Sequence, residues 1–376
     1  MNSKAISNNN SISDKHRPFF SIICPCYNTK ADHIETLLNS LLAQSIDKED
    51  MEIILSDDCS TDTSYYEAVE PFKENLNIIQ VQTNKDSLHC PGNNRENGVQ
   101  YATGKWITFT DHDDFYLNGV FSLVRNSIEE ANEQYLVCSN ILQVDPLDNN
   151  RIIQEIRYAT NWMHGKFYNL DNLWKAYDFH FKKDLVSNED IYISNKLHCI
   201  LHNIHKNQVL WLPDYTYIWR AFPDSTSHKK YSDDLTYMEY FFYDYINATY
   251  DIHNEEYDKL LAEKGELSED DKKFYMEMQA DALFFQYFYL QSFKYKKDYL
   301  QEHEDIVKRN LKDYYKKFDI DPDHLYSLAC SELDNDDIRE GGFITKIWYN
   351  SVRYSVTVSC GNFIETDNFR SFISNV

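Results

Sequence analysis

The sequence predicts a doubly wound, Rossmann-like α/β domain over residues 18–229, followed by a mainly α-helical region over residues 230–376. Three observations carry that expectation. In the first half, short apolar runs rich in β-branched and aromatic residues alternate with amphipathic stretches, which is the strand–helix rhythm of an α/β sheet. Several of those runs end in polar residues, and in open α/β sheets ligands bind beyond the carboxyl ends of the strands. Past about residue 230 the pattern changes to long helical stretches crowded with Tyr and Phe.

The elements follow in order. Residues 19–26 read as a first strand, interrupted by Pro25 and closing on Tyr27 and Asn28, with a helix over about 31–44. A second strand, 52–56, runs into Asp57, Asp58 and Ser60-Thr61-Asp62, where a helix over about 62–73 starts. A third strand spans 76–82, and GNNRENG at 92–98 opens a helix over about 93–102. The run Trp106 to Phe109 belongs to a fourth strand, 106–110, followed by a helix over 117–131. Segments 136–144 and 151–157 read as further strands, and 170–178 and 189–203 as helices. Ser268 three residues before Asp271 has the form of a helix capping box with Asp in the Glu place. Gly341-Gly342 and the alternating YSVTVSC suggest a turn and a short strand near the end. The first 17 residues are polar and rich in Asn and Ser, which predicts a disordered tail. No stretch has the composition of a flexible linker, so the helical region is expected to pack on the α/β domain.

The fourth strand leads directly into Asp111, His112, Asp113 and Asp114. Three carboxylates at the end of a buried strand cost free energy unless something cationic compensates. A hard divalent ion does so, because Mg²⁺ takes one or two carboxylates plus substrate phosphates. An acidic solvated turn is the plainer alternative.

Composition narrows the function. A net charge of −24 argues against nucleic acid or an anionic membrane as the main partner, since both attract basic surfaces. The hydrophobic runs are too short to cross a bilayer, and no charged, then apolar, leader opens the chain. A cytoplasmic location is expected, with the inner face of the membrane as the alternative and at most peripheral membrane association. The eight cysteines lie mostly inside apolar runs and read as reduced core residues, Cys24 and Cys26 included.

A series of motifs, in order, resembles the GT-A glycosyltransferases of the family 2 type. SIICPCYN resembles the family's opening strand, and SDDCSTD its Asp-Asp-Gly-Ser-Thr-Asp with Cys59 in the glycine place. Gly92 to Gly98 resembles its Gly…Ala-Arg-Asn-x-Gly segment, with Arg95 kept and Asn94 and Glu96 substituted. FTDHDD matches Phe-x-Asp-x-Asp-Asp, while WMHGKFYN and SNEDI resemble the Gly-Lys segment and the Glu-Asp catalytic motif. The resemblance covers roughly residues 18–228 and leaves the C-terminal part without a functional motif.

What it implies is an inverting transfer from a nucleotide-sugar, a UDP-sugar above all, with Mn²⁺ or Mg²⁺. The acceptor would be a hydroxyl of a glycan, cell-surface polymer or glycoprotein. Pro25, Tyr27, Asn28, Asp57, Asp58, Arg95, Asp111 and His112 would line the nucleotide. Asp58 would read the base unless it only caps a helix, and Arg95 would face diphosphate oxygens unless it is a surface helix residue. Asp113 would bind metal, with Asp111 on metal or ribose and His228 closing over it. Asp190 would be the base beside Glu189, although two acids at a helix N-terminus also have a structural reason to be there. The helix dipole is expected to keep Asp190 ionised. Arg220 and Ser225 would lie on the acceptor or phosphate side. An inactive nucleotide-sugar-binding protein on the same fold is the alternative. A phosphoryl-transfer enzyme would need a phosphate-cradling glycine loop, which PCYNT is not, and Gly-Lys at 104–105 and 165–166 lacks that context. His198, His202 and His205 share a helical face and could bind zinc, though a polar face explains them as well. The aromatic stretches 237–248 and 284–293 read as packing faces, with an acceptor groove or a homo-oligomer interface as the sharper alternatives.

Overall fold

The computed structural model describes residues 16–86, 88–131, 134–157, 162–203, 208–225, 237–292, 297–334 and 367–376. Among them, nine strands form one mixed sheet: β1 (Phe20–Cys26), β2 (Met51–Asp57), β3 (Asn77–Gln82), β4 (Trp106–Phe109), β5 (Phe115–Tyr116), β6 (Leu136–Asp145), β7 (Arg151–Ile156), β8 (Lys166–Asn169) and β9 (Val209–Arg220). Their order is β3-β2-β1-β4-β8-β6-β9-β5, with β7 beside β6. β3, β2, β1 and β4 run parallel, whereas β8 is antiparallel to both β4 and β6.

Continuous apolar runs suit strands buried on both faces, and β1 and β2 are buried at every position. Pro25 is tolerated because β1 pairs with β4 only from Phe20 to Ile23, so the missing N–H falls beyond that ladder. The helices are α1 (Ala31–Leu42), α2 (Tyr65–Val69), α3 (Pro91–Val99), α4 (Val120–Glu130) and α5 (Glu189–Asn203), then α6 (Tyr237–Lys264), α7 (Glu269–Ser292), α8 (Lys297–Phe318), α9 (Pro322–Asp334) and α10 (Asp367–Ser374). One face of the sheet puts Phe20, Ile22 and Cys24 against Leu37, Leu38 and Phe121. On the other, a single cluster runs from Ile23, Ile54 and Phe109 through Tyr168 and Ile193 to Tyr245, Tyr250, Leu283 and Leu311.

The first four strands and α1, α3, α4 and α5 match the expectation to within a few residues. The second helix is shorter than expected, α2 covering only Tyr65–Val69 before a 3₁₀ turn. Residues 170–175 form a π-helical turn, started by the Asn169 side chain accepting the N–H groups of Asp171 and Asn172. Strands β5, β8 and β9 go beyond the sequence reading. The 28-residue helix α6 and the 24-residue α7 bear out the change of pattern in the C-terminal part. Ser268 and Asp271 form the reciprocal cap, with Asp271 N donating to Ser268 Oγ at 3.1 Å and Ser268 N to Asp271 Oδ2 at 3.3 Å.

Tyr243, Tyr245, Tyr250, Phe284 and Tyr287 are buried, and the tyrosine hydroxyls reach partners at their tips. Tyr250 donates to Asn310 O at 2.8 Å, and the Tyr245 hydroxyl accepts from Asn195 of α5 at 3.0 Å. These described aromatics are therefore packing residues. The boundary expected near residue 229 falls in 226–236, outside the described residues, as do His205, His228, Gly341-Gly342 and YSVTVSC. At the chain's start, His16 bonds Asp50 and Arg17 bonds Asp171, so the last two residues of the expected tail are held on the domain. No described helix is long and apolar enough to cross a membrane.

Candidate active site

The polar strand ends converge at the carboxyl edge of the parallel strands, and α3 is the element that ties them together. Gly98 makes this possible: a Cβ there would stand 2.6 Å from Ile23 Cγ2, so only glycine lets the helix lie this close to β1. Asn94 Nδ2 donates to Cys26 O at 3.2 Å and Asn97 Nδ2 to Ser56 Oγ at 2.8 Å. Thus seated, α3 presents Arg95, whose Nη1 bonds Glu189 Oε1 and whose Nη2 bonds Asp111 Oδ1, both at 2.5 Å. Where the sequence led to diphosphate oxygens, the terminal nitrogens of Arg95 meet two carboxylates. A planar guanidinium suits that double contact. Burial would push the Asp111 carboxyl up, but Arg95 and His164 outweigh it and hold it well below the ordinary aspartate range.

Asp111, Asp113 and Asp114 each offer a carboxylate oxygen within 4.8 Å of one another, the sole group of this kind among the described residues. Asp114 is buried and committed to the protein: Oδ2 accepts from Tyr217 at 2.7 Å and Oδ1 from Arg220 N at 2.8 Å. Its carboxyl is pushed well up by burial and by Asp113 and Asp111, the stress that a cation would relieve. Asp113 and Asp111 thus remain as oxygen donors, a set that fits a hard divalent ion completed by phosphate and water. Arg220 donates Nε to the backbone oxygen of Asp113 and lies 5.0 Å from the Phe222 ring, with Nη2 buried and unpartnered. His112 sits near His33 with ring centroids 6.2 Å apart, and Ser225 is tied by its N–H to Phe222 O at 3.2 Å.

Asp190 opens α5 next to Glu189. Burial, then the Glu189 charge, push its carboxyl up to about 7, against opposing pulls from His164 and Arg95. Burial thus works against the ionising effect expected of the helix N-terminus. Glu189 is buried against Arg95, and Gly92 faces its Cβ, where an added side chain would meet it at 3.3 Å. Lys166 is buried nearby and pushed down to about 8 by loss of water.

On the other side, Asp58 accepts from Thr83 Oγ1 at 2.6 Å, and its Oδ1 lies 3.2 Å from His89 Nδ1. Asp57 is tied into the loop: its oxygens accept from Ser60 N, Ser60 Oγ and Tyr65 OH. Asn28, at φ 46°, is likewise structural, its Oδ1 accepting from Thr61 N at 2.9 Å and Asp62 N at 3.0 Å. Pro25 is buried inside the sheet and Tyr27 is half exposed. The sequence reading missed His164, 3.4 Å from Asp111 and stacked on Tyr217, and it missed Tyr217, Thr83 and His89. Only Tyr217 had a usable signal, the β-type run TYIW. Of the histidines that could bind zinc, His205 lies outside the described residues, while His202 bonds Asp271 at 3.0 Å and His198 is pushed down to about 4 by burial. Cys24 and Cys26 lie 4.0 Å apart, and burial pushes the Cys24 thiol up, away from the reactive thiolate.

Acids that suit a hard cation, at the carboxyl edge of a parallel sheet, with a carboxylate poised near neutrality opposite, define a transferase-type site for a phosphate-bearing ligand. Residues 21–188 match the family model described as Glycosyl transferase family 2, ending one residue before Glu189. The chain is 27% identical over 265 residues to the poly(ribitol-phosphate) beta-N-acetylglucosaminyltransferase TarS of Staphylococcus aureus, covering 65% of this chain and 43% of that protein. It is 33% identical over 118 residues to the GalNAc(5)-diNAcBac-PP-undecaprenol beta-1,3-glucosyltransferase of Campylobacter jejuni, 31% of this chain and 36% of that one. The crystal structure of S. aureus TarS 1–349 in complex with UDP superposes with a TM-score of 0.57 at 22% identity, covering 95% of this chain and 90% of the other. Residues 21–188 are thus the part of the chain that matches the family 2 glycosyltransferases, and the chain has the GT-A fold. It spans less than half the length of the curated relatives just named.

Proposed function

We propose that this chain is an inverting glycosyltransferase that moves a sugar from a UDP-sugar to a hydroxyl of a cell-surface polymer. The observation that carries the reading is the pairing of Asp190, pushed up to about 7, with the Asp111–Asp113 pair across the Arg95 bridge. A general base works best with its pKa near the operating pH. Asp190 takes the proton of the acceptor hydroxyl as that oxygen bonds to the anomeric carbon. The bond from this carbon to the diphosphate oxygen breaks in the same displacement, its electron pair leaves with the diphosphate, and the centre inverts. Arg95 holds Asp111 and Glu189 fixed, while Arg220 braces the Asp113 backbone. When bound to Asp113 and Asp111, a Mg²⁺ or Mn²⁺ ion supplies positive charge against the departing diphosphate.

Uracil as the base, and a polyol-phosphate chain as acceptor, are supported by the relatives: one is a poly(ribitol-phosphate) beta-N-acetylglucosaminyltransferase, and its structure holds UDP. The test is a panel of nucleotide-sugars screened for Mn²⁺-dependent hydrolysis without acceptor, then for transfer to polyol-phosphate polymer. Turnover confined to UDP-sugars and dependent on metal is expected. Binding of UDP without turnover of any donor would instead indicate an inactive nucleotide-sugar-binding protein.

A further inference from the structure

The segment before α5 and the first half of α6 leave a cavity of about 310 Å³ between them, which the mechanism does not use. One wall carries Lys182, Lys183 and Asp184, and the other Asn247 and Asp251. The first wall is held from behind by α3: Asp184 N donates to Asn93 Oδ1 and Asn93 Nδ2 to Asp184 Oδ1, each at 3.0 Å. On the second, Asn247 Oδ1 accepts from Gln286 Nε2 of α7 at 3.2 Å, which leaves its Nδ2 as a donor. Lys182 and Asp251 are half-buried, yet neither side chain has a hydrogen-bond or ion-pair partner among the described residues. Burial pushes the Asp251 carboxyl up, against a pull from Lys182 that stops short of contact.

We propose that this cavity is a carbohydrate subsite, which holds a polyol or sugar unit of the acceptor chain remote from the reacting hydroxyl. An ammonium only donates and a carboxylate only accepts; where the two face one space without joining, a hydroxyl, which does both, satisfies each. Asn247 Nδ2 and Asp184 Oδ2 add a further donor and acceptor, and Leu185 and Ala248 offer apolar surface to the carbon chain. Phosphate fits worse. It only accepts, and the carboxylates of Asp184, Asp244 and Asp251 outnumber the two lysines. A polyol-phosphate chain therefore seats its hydroxyls inside and keeps its phosphates at the rim, where Lys183 is exposed. Asp184 precedes Asp190 by six residues, which limits the separation of their Cα atoms to about 20 Å. A polymer reaches from the base to the cavity, whereas a single unit does not. The occupant rests on the transferase reading above, and the site gives α6, which carries no motif, a part in choosing the acceptor.

The experiment titrates ribitol, N-acetylglucosamine and inorganic phosphate against the whole chain by ligand-observed NMR, with UDP and Mn²⁺ present. Ribitol or N-acetylglucosamine should bind. Asp251→Ala and Lys182→Met should each weaken that binding about tenfold, as the loss of a hydrogen bond to a charged group does, and leave UDP affinity unchanged. In transfer assays both variants should raise KM for a polyol-phosphate polymer about tenfold, with kcat and the KM of a single polyol phosphate unmoved. Binding of neither ribitol nor N-acetylglucosamine overturns the subsite, as does binding that either folded variant leaves unchanged. Phosphate bound more tightly than both, and lost in Lys182→Met, marks an anion site and overturns it too. An equal rise in KM for the single unit overturns the remote placement. If no donor turns over, yet ribitol or the sugar binds and both variants weaken it, the transferase reading fails while the subsite stands.

Discussion

Replacing Asp190 by asparagine keeps the side chain's shape and removes its ability to accept a proton. With its carboxyl near 7, about a tenth of Asp190 is in the base form at pH 6 and about nine-tenths at pH 8, so parental transfer should rise roughly tenfold between them. Asp190→Asn should transfer at least about 10²-fold more slowly, at a rate flat across that range. Stability should move the other way. A carboxyl raised in the folded state binds its proton more tightly there than when unfolded, so it destabilises the fold as pH climbs from about 4 through 7. From the ordinary 3.8 to about 7, at about 1.36 kcal/mol per pH unit, the cost is at most ~4 kcal/mol. The side chain is only partly shielded from water, and screening reduces this to about 1–2 kcal/mol. Asp190→Asn should therefore melt about 1–3 °C higher than the parent at pH 8 and together with it at pH 4. Parallel stopped-time transfer assays and thermal melts at three pH values read both effects. A rate within a few-fold of the parent, or a lower melting temperature at pH 8, refutes the assignment.

Asp113→Ala should abolish Mn²⁺-dependent UDP binding in calorimetry and leave the melting temperature intact, since Arg220 holds the Asp113 backbone oxygen and not its side chain. Arg95→Met leaves buried Glu189 and half-buried Asp111 without their cation and should cost about 3 kcal/mol in denaturant unfolding at pH 8. That deficit should shrink as pH falls below the ordinary aspartate value, because the depressed carboxyl of Asp111 stabilises the parent only while it is charged. A chain ending at residue 230 should be insoluble or lose UDP binding, because one apolar cluster joins the sheet to α6, α7 and α8; a soluble, UDP-binding fragment would show two independent cores.

The sheet was legible where burial on both faces writes a continuous apolar run, as in Phe20–Ile23 and Ile53–Leu55. It was illegible where the strand carries its own interruption. In β9, Pro213-Asp214 reads as a turn, yet the register against β6 slips between Cys138 and Asn140 and absorbs it. Motif spacing gathered Asp58, Arg95, Asp111, Asp113, Glu189 and Asp190 at one edge, but not how they divide the work. Asp57 and Asp58 look equivalent in sequence; only the loop geometry gives one to Ser60 and Tyr65 and the other to Thr83 and His89. His89 carries no periodic or motif signal, and His164, though inside WMHGKFYN, nothing that marks its contact with Asp111, because both roles come from tertiary neighbours.

The glycine seat of α3 has a practical consequence for anyone evolving this enzyme toward new substrates. A side chain at position 98 would prise the helix from β1 and move Arg95, one turn away, off its two carboxylates. Randomised libraries that include positions 92 or 98 would fill with misaligned catalysts. Diversity is better placed at Tyr27, Leu88 and His89, whose side chains face solvent and whose backbones are held from behind.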